Sequence, residues 1–278
     1  MTSVRSATYT ISNGGPTLSY AVHLPPSSSA NSTVLTKAAL IAHPFGRLGG
    51  CKEDHVVVAL ARMLADEGWA VVRYDARGAG QSGGSASWTG AAEATDYREL
   101  VDQLVLPLLF RDPSAASSAA SPVTETPAPS QQPETRTVDL LLCGYSFGSL
   151  AASSCPAPSA PSSHPPVRVR TSYLLLSYPL SVLWALCLFR SSPFTSALQS
   201  LVRRGENRVL AVHGDRDQFS GVERLRAWAQ GLEKEQGGEE GCFGVVEVEG
   251  ADHFWQDRGK KRELLEAVKG WLDAGEGK

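Results

Sequence analysis

The 278-residue chain reads as an α/β protein built on a mostly parallel sheet. Three observations predict this class. Short apolar runs alternate along the chain with segments whose apolar residues recur at helical spacing. The runs are near-continuous in Val, Ile, Leu and Ala, as in strands covered on both faces. Strands that alternate with helices in this way imply a parallel sheet.

Residues 7–11 and 20–24, on either side of Gly14-Gly15, predict an antiparallel hairpin at the sheet edge. The run 38–42 is the first parallel strand. Val56, Leu60, Met63 and Leu64 stripe a helix that ends at Gly68, and 70–74 is the next strand. Tyr97, Leu100, Val101, Leu104, Val105 and Leu108 predict one continuous helix. The runs 138–143, 173–176, 209–212 and 245–248 complete eight strands. Val222, Leu225, Trp228 and Leu232 stripe a helix between the last two, and Leu264, Leu265, Val268, Trp271 and Leu272 stripe the final one.

Two segments interrupt this pattern without dividing it. Residues 113–133 hold five Pro, five Ser and five Ala, and 153–166 hold five Pro and five Ser. Neither buries enough apolar surface to offset ordering, so both read as mobile surface inserts in one domain spanning 1–278. The uncharged stretch 171–189 is 19 residues long, close to a membrane span. Pro179 in its middle and Thr171, Ser172, Ser177 and Ser181 favour a buried strand followed by a small apolar cap over 178–204. The formal net charge of −3 argues against a nucleic-acid surface. Five widely spaced cysteines form neither a disulfide framework nor a zinc-ligand pattern. The first fifteen residues lack the apolar core of a signal peptide, so a cytoplasmic location is expected.

Gly144-Tyr145-Ser146-Phe147-Gly148 follows strand 138–143 and precedes the helix-compatible Ser149-Leu150-Ala151-Ala152. In that setting G-x-S-x-G is a nucleophile elbow, a sharp turn that lifts the serine hydroxyl clear of the sheet. The plain alternative is a Gly/Ser turn that merely ends a strand. A serine nucleophile needs a base, and the base an orienting acid. Of six histidines, His253 follows the last strand and precedes the last helix. His164 lies in an insert, His23 in the edge hairpin and His55 at a helix start, while His43 and His213 end strands, where they tie loops to the sheet. The chain order Ser…Asp…His places the acid in His213-Gly214-Asp215-Arg216-Asp217. Asp217 is preferred because it sits further into the loop; Asp215 is the alternative, with turn-holding as its structural role. Asp252 is too near His253 in the chain to face it. Two N–H donors should serve an oxyanion: that of Phe147, and that of Phe45 in the loop 43–50, since Pro44 has none.

His43-Pro44-Phe45-Gly46, Arg77-Gly78-Ala79-Gly80-Gln81-Ser82, Gly144-Tyr145-Ser146-Phe147-Gly148, His213-Gly214-Asp215-Arg216-Asp217 and Gly250-Ala251-Asp252-His253-Phe254 occur in the order of one family. Outside its inserts the chain resembles an α/β-hydrolase, in particular the compact intracellular serine hydrolases of esterase type. The resemblance implies a Ser146–His253–Asp217 triad, a structural role for 77–82 and a carboxylesterase-like activity without metal or organic cofactor. It implies a small-molecule ester or thioester as substrate and a monomer or small homo-oligomer, with no nucleic acid and no membrane span. The insert after the elbow departs from the family by cutting short the helix that supports the nucleophile. The apolar cap, with Trp184 and Phe189, and the flanking Phe219 and Trp255 are expected to line an apolar substrate pocket. Peptidase or thioesterase activity, or a non-catalytic ligand-binding protein on the same fold, are the alternatives.

Overall fold

The computed structural model describes residues 2–26, 35–110, 135–159, 167–236 and 242–275. The expected insert at 113–133 lies outside them, as does the 160–166 part of the second insert.

Strands β1 (Ser3–Thr10) and β2 (Thr17–Leu24) form the edge hairpin. Its turn places Asn13 and Gly14 at φ of 56° and 77°, a left-handed pair that Asn-Gly adopts readily. Strands β3 (Lys37–Ala42), β4 (Ala70–Tyr74), β5 (Arg136–Tyr145), β6 (Val167–Leu176), β7 (Arg208–Arg216) and β8 (Phe243–Asp252) pair in parallel, and β2 joins β4 antiparallel. The sheet order is β1-β2-β4-β3-β5-β6-β7-β8. From β3 the chain moves to one side to form β4, then returns to form β5 on the other. The carboxyl ends of β3 and β5 therefore flank a topological switch point, where open α/β sheets bind ligands.

Alternate side chains along each strand feed two cores. Leu40, Val72, Leu142, Tyr173 and Leu175 face helices α2 (Ala91–Leu100), α3 (Leu106–Phe110), α4 (Phe147–Ser154) and α6 (Ser192–Arg204). Ile41, Val71, Leu141, Leu174 and Leu210 face α1 (His55–Asp66) and the final helix, 258–273. Both faces are buried, which accounts for the near-continuous apolar runs.

Three expectations change in detail. The helix expected over 97–108 is interrupted by a π turn at 101–105, where the Leu106 N–H donates to the Val101 carbonyl. Pro107 follows directly; it has no N–H to give to the preceding turn, and the widened turn accommodates its ring. Strand β6 begins at Val167, well before the apolar run, because Val167-Arg168-Val169-Arg170 alternates in register with 136–139 of β5. Helix α4 runs through Ser154, so the first residues assigned to the second insert complete it. The Tyr173 hydroxyl closes its end, donating to the Cys155 carbonyl at 2.9 Å.

The stretch 171–189 divides between β6 and the single-turn helix α5 (Leu183–Leu186). Among the described residues no helix is long and apolar enough to cross a membrane. After β7 comes α7 (Val222–Glu235), and after β8 comes α8 (Arg258–Asp273).

Candidate active site

Ser146 stands between the last residue of β5 and the first of α4, with φ 52° and ψ −119°. A serine holds this left-handed conformation only when its surroundings over-determine it. Here they do. The Ser146 N–H donates to the Leu176 carbonyl of β6 at 2.8 Å, and its carbonyl accepts from Ser149 N at 2.9 Å. Glycines permit the close approach. A Cβ at 144 would lie 2.2 Å from the Gly148 carbonyl oxygen, and one at 148 would lie 2.5 Å from that of Ala42.

Ser146 Oγ is 2.9 Å from His253 Nε2, and His253 Nδ1 is 2.6 Å from Asp217 Oδ2. The three residues are 6%, 2% and 7% exposed. Each is held from behind. The other Asp217 oxygen accepts the N–H groups of Phe219 and Ser220 at 2.8 and 2.9 Å. The His253 carbonyl accepts the Tyr145 hydroxyl at 2.8 Å, and its N–H donates to Gln218 Oε1 at 3.0 Å. The Phe219 ring meets the imidazole edge-on, with centroids 4.5 Å apart. Asp215 instead accepts the Gly250 N–H at 2.6 Å, pinning the β7 end to the loop that carries His253.

The loop after β3 is fixed by His43. Its Nε2 accepts the Ala76 N–H at 2.9 Å and its Nδ1 lies 2.5 Å from the Pro44 carbonyl. Burial holds the His43 pKa below the ordinary imidazole value, which keeps Nε2 free to accept. Gly50 lets the loop fold back on itself: a Cβ there would lie 2.1 Å from the Pro44 carbonyl oxygen. The rings of Phe45 and Phe147 pack at 4.9 Å, and neither backbone N–H has a partner among the described residues. Residues 77–82 shape a supporting turn. Arg77 forms two hydrogen bonds with Asp96, and the buried Asp75 accepts from Lys52 Nζ and from the N–H groups of Lys52 and Gln81.

Comparison with known proteins decides the fold family. The structure superposes on Est1E from Butyrivibrio proteoclasticus bound to ferulic acid, with a TM-score of 0.64, 18% identity and coverage of 98% and 100% of the two chains. It superposes on an α/β serine hydrolase without lid from Xanthomonas campestris with a TM-score of 0.62, 20% identity and coverage of 98% and 94%. The Pyrococcus furiosus esterase gives a TM-score of 0.60 at 14% identity, covering 98% and 91%. The chain has the α/β-hydrolase fold. Within it, residues 15–105 match the model of the X-Pro dipeptidyl-peptidase (S15) family, about a third of the chain. No curated protein matches the sequence.

On this fold, Ser146 and His253 open into a cleft in contact with solvent. Phe45, Leu48, Val182, Leu186, Phe219 and Phe254 give it apolar walls. Of the aromatic residues expected there, only Phe219 lines it. Trp184 and Phe189 pack against each other with tilted rings, centroids 5.1 Å apart, but are 53% and 77% exposed and do not line the cleft. Trp255 is fully buried in the second core, where its indole N–H donates to Ser177 Oγ at 3.0 Å. Its sequence position two residues after His253 was misleading, because a left-handed Trp255 (φ 53°) turns the ring inward. Phe254, adjacent to His253, lines the cleft, as does Leu48; nothing in the local sequence singles out either.

Proposed function

We propose that the protein is a serine hydrolase that cleaves a carboxylic ester or thioester through an acyl-enzyme. The observation that carries the reading is the hydrogen-bonded series Ser146–His253–Asp217 on a strained elbow at the floor of an apolar cleft. Ser146 Oγ attacks the carbonyl carbon while His253 Nε2 takes its proton. Negative charge gathers on the carbonyl oxygen, where the free N–H groups of Phe45 and Phe147 supply donors. Asp217 holds the imidazole with its proton on Nδ1 and stabilises the imidazolium. Collapse of the adduct expels the alcohol or thiol, which receives the proton from His253. Water then releases the acid by the same steps in reverse roles.

The similarity to esterases and serine hydrolases of the same fold supports this chemistry, and the apolar walls support an apolar acyl or alkyl group. A neutral p-nitrophenyl butyrate assay tests the reading: saturable turnover is expected, and none from a folded protein would return the site to ligand binding. The S15 match favours a second reading, a peptidase, although the matched segment includes none of Ser146, Asp217 or His253. Release of p-nitroaniline from Ala-Pro-p-nitroanilide faster than p-nitrophenol from the ester would favour the peptidase.

A further inference from the structure

Among the residues that line the cleft with Ser146 and His253, the one fixed charge is Asp54. It caps α1, and a single oxygen does that work: Oδ1 accepts the N–H groups of Val56 and Val57 at 2.8 and 3.4 Å. Oδ2 has no partner among the described residues. The cations closest to Asp54 in the chain, and those on the flanking loops, have other partners. Lys52 is paired with the buried Asp75 at 2.7 Å, Arg73 with Glu53 at 2.8 Å, and Lys261 lies 2.9 Å from His55 Nδ1. Arg47 lies over the Trp88 ring, 4.0 Å from its centroid, and donates to the Ala86 carbonyl. The negative field reaches the cleft floor: Asp54, Asp217 and Asp252 add to burial in raising the Tyr145 hydroxyl pKa.

We propose that Asp54 makes the cleft charge-selective, favouring esters and thioesters that carry a cationic group and rejecting anionic ones, acyl-CoA thioesters among them. The proposal rests on the serine-hydrolase reading and names the substrate class within it. An anionic substrate needs basic side chains or a free helix N-terminus. This cleft has no Lys or Arg among its lining residues, the α1 N-terminus is already occupied by Asp54, and the N–H at the start of α4 is taken by the reacting carbonyl oxygen. The apolar walls lower the effective dielectric constant around the carboxylate, while the open mouth of the cleft admits salt ions. At about 6 Å and an effective dielectric constant of about 40, one unit charge acting on another is worth roughly tenfold in binding.

The test compares kcat/KM for butyrylthiocholine, its neutral isostere S-(3,3-dimethylbutyl) thiobutyrate, and butyryl-CoA. A second series on the acyl side uses the p-nitrophenyl esters of 4-(trimethylammonio)butyrate, of 5,5-dimethylhexanoate and, as the monoester, of succinate. The cationic member should exceed the neutral one by about tenfold in at least one series, with the anionic member slowest. That ratio should fall toward one in Asp54→Asn, which keeps the helix cap because Asn caps as well as Asp. Taking ratios within one protein removes any general loss of folding or rate. Independently of the variant, the wild-type ratio should shrink as salt rises from 20 mM to 500 mM. Equal turnover of cationic and neutral members in both series, or a preference that survives both Asp54→Asn and high salt, overturns the proposal. No turnover of any member by the folded wild-type protein overturns the hydrolase reading, and the selectivity with it.

Discussion

Asp217 divides its carboxylate between two tasks: Oδ2 meets His253 Nδ1 at 2.6 Å, and Oδ1 anchors the turn through Phe219 and Ser220. Asp215, two residues earlier, is turned away and bonds Gly250. The two substitutions should therefore separate. Asp217→Asn should lower kcat by about 10³ to 10⁴, since an amide facing Nδ1 selects the wrong tautomer. Asp215→Asn should change kcat by less than about tenfold and show its effect in Tm. Steady-state kinetics beside thermal melts distinguish them, and the opposite ranking would move the acid to Asp215.

The elbow depends on absent side chains as much as on present ones. In Gly148→Ala the new methyl would sit 2.5 and 2.7 Å from the carbonyl oxygens of Ala42 and His43. Backbone cannot yield as a side chain does, so α4 must move off the end of β3 and carry Phe147 with it. Overpacking of this kind costs about 1–3 kcal/mol. Tm should drop by several degrees, with a larger proportional loss in kcat. A variant with parental melting and parental rate would show that the close approach is not needed.

The cleft walls predict a dependence on acyl length that belongs to one side of α5. Leu186 lines the cleft, while Trp184 in the same turn faces solvent. Each buried methylene is worth about 0.8 kcal/mol, so kcat/KM should climb from acetyl to hexanoyl esters. Leu186→Ala should flatten the climb, and Trp184→Ala should leave it intact. A flattened series in Trp184→Ala alone would place the acyl group on the other face of this turn.

Stability should fall in mild acid for a reason outside the cleft. His23 Nε2 accepts the Arg73 Nε–H at 2.8 Å, which requires the neutral ring. Burial, then Arg73 and Arg62, lower its pKa from 6.5 to about 4, against a smaller opposite effect of Glu53. Between these values the unfolded chain binds the proton and the folded chain does not, so stability is lost as pH falls from about 6.5 toward 4. His23→Gln retains an acceptor for Arg73 and cannot titrate. Its Tm should fall less than the parental Tm between pH 7 and pH 5; parallel declines would assign the acid sensitivity to other groups.

The legible parts of this molecule were those with a repeating or strictly local cause. Continuous apolar runs mark strands buried on both faces, and Gly144 and Gly148 mark a turn that tolerates no Cβ. The chain order of Ser146, Asp217 and His253 follows from where the ends of β5, β7 and β8 lie. The walls of the cleft were not legible in this way. Trp255 is as apolar and as near a motif as Phe219 and Phe254, and Trp184 and Phe189 are as apolar, in the segment after β6. Which of them face Ser146 depends on φ values in non-glycine residues: 44° at Leu188, 63° at Phe189 and 53° at Trp255. Neither composition nor period encodes such reversals. The π turn at 101–105 had a local signal in Pro107, which a count of apolar positions overlooks.

The central claim is that Ser146 is an activated nucleophile, and covalent labelling tests it without knowledge of the natural substrate. The folded protein is incubated with a fluorophosphonate, and its intact mass and labelled peptide are measured. One phosphonyl adduct per chain on the peptide containing Ser146, with none in a folded Ser146→Ala variant, is the predicted result. No adduct on a folded wild-type protein, or equal labelling of wild type and Ser146→Ala, would contradict it.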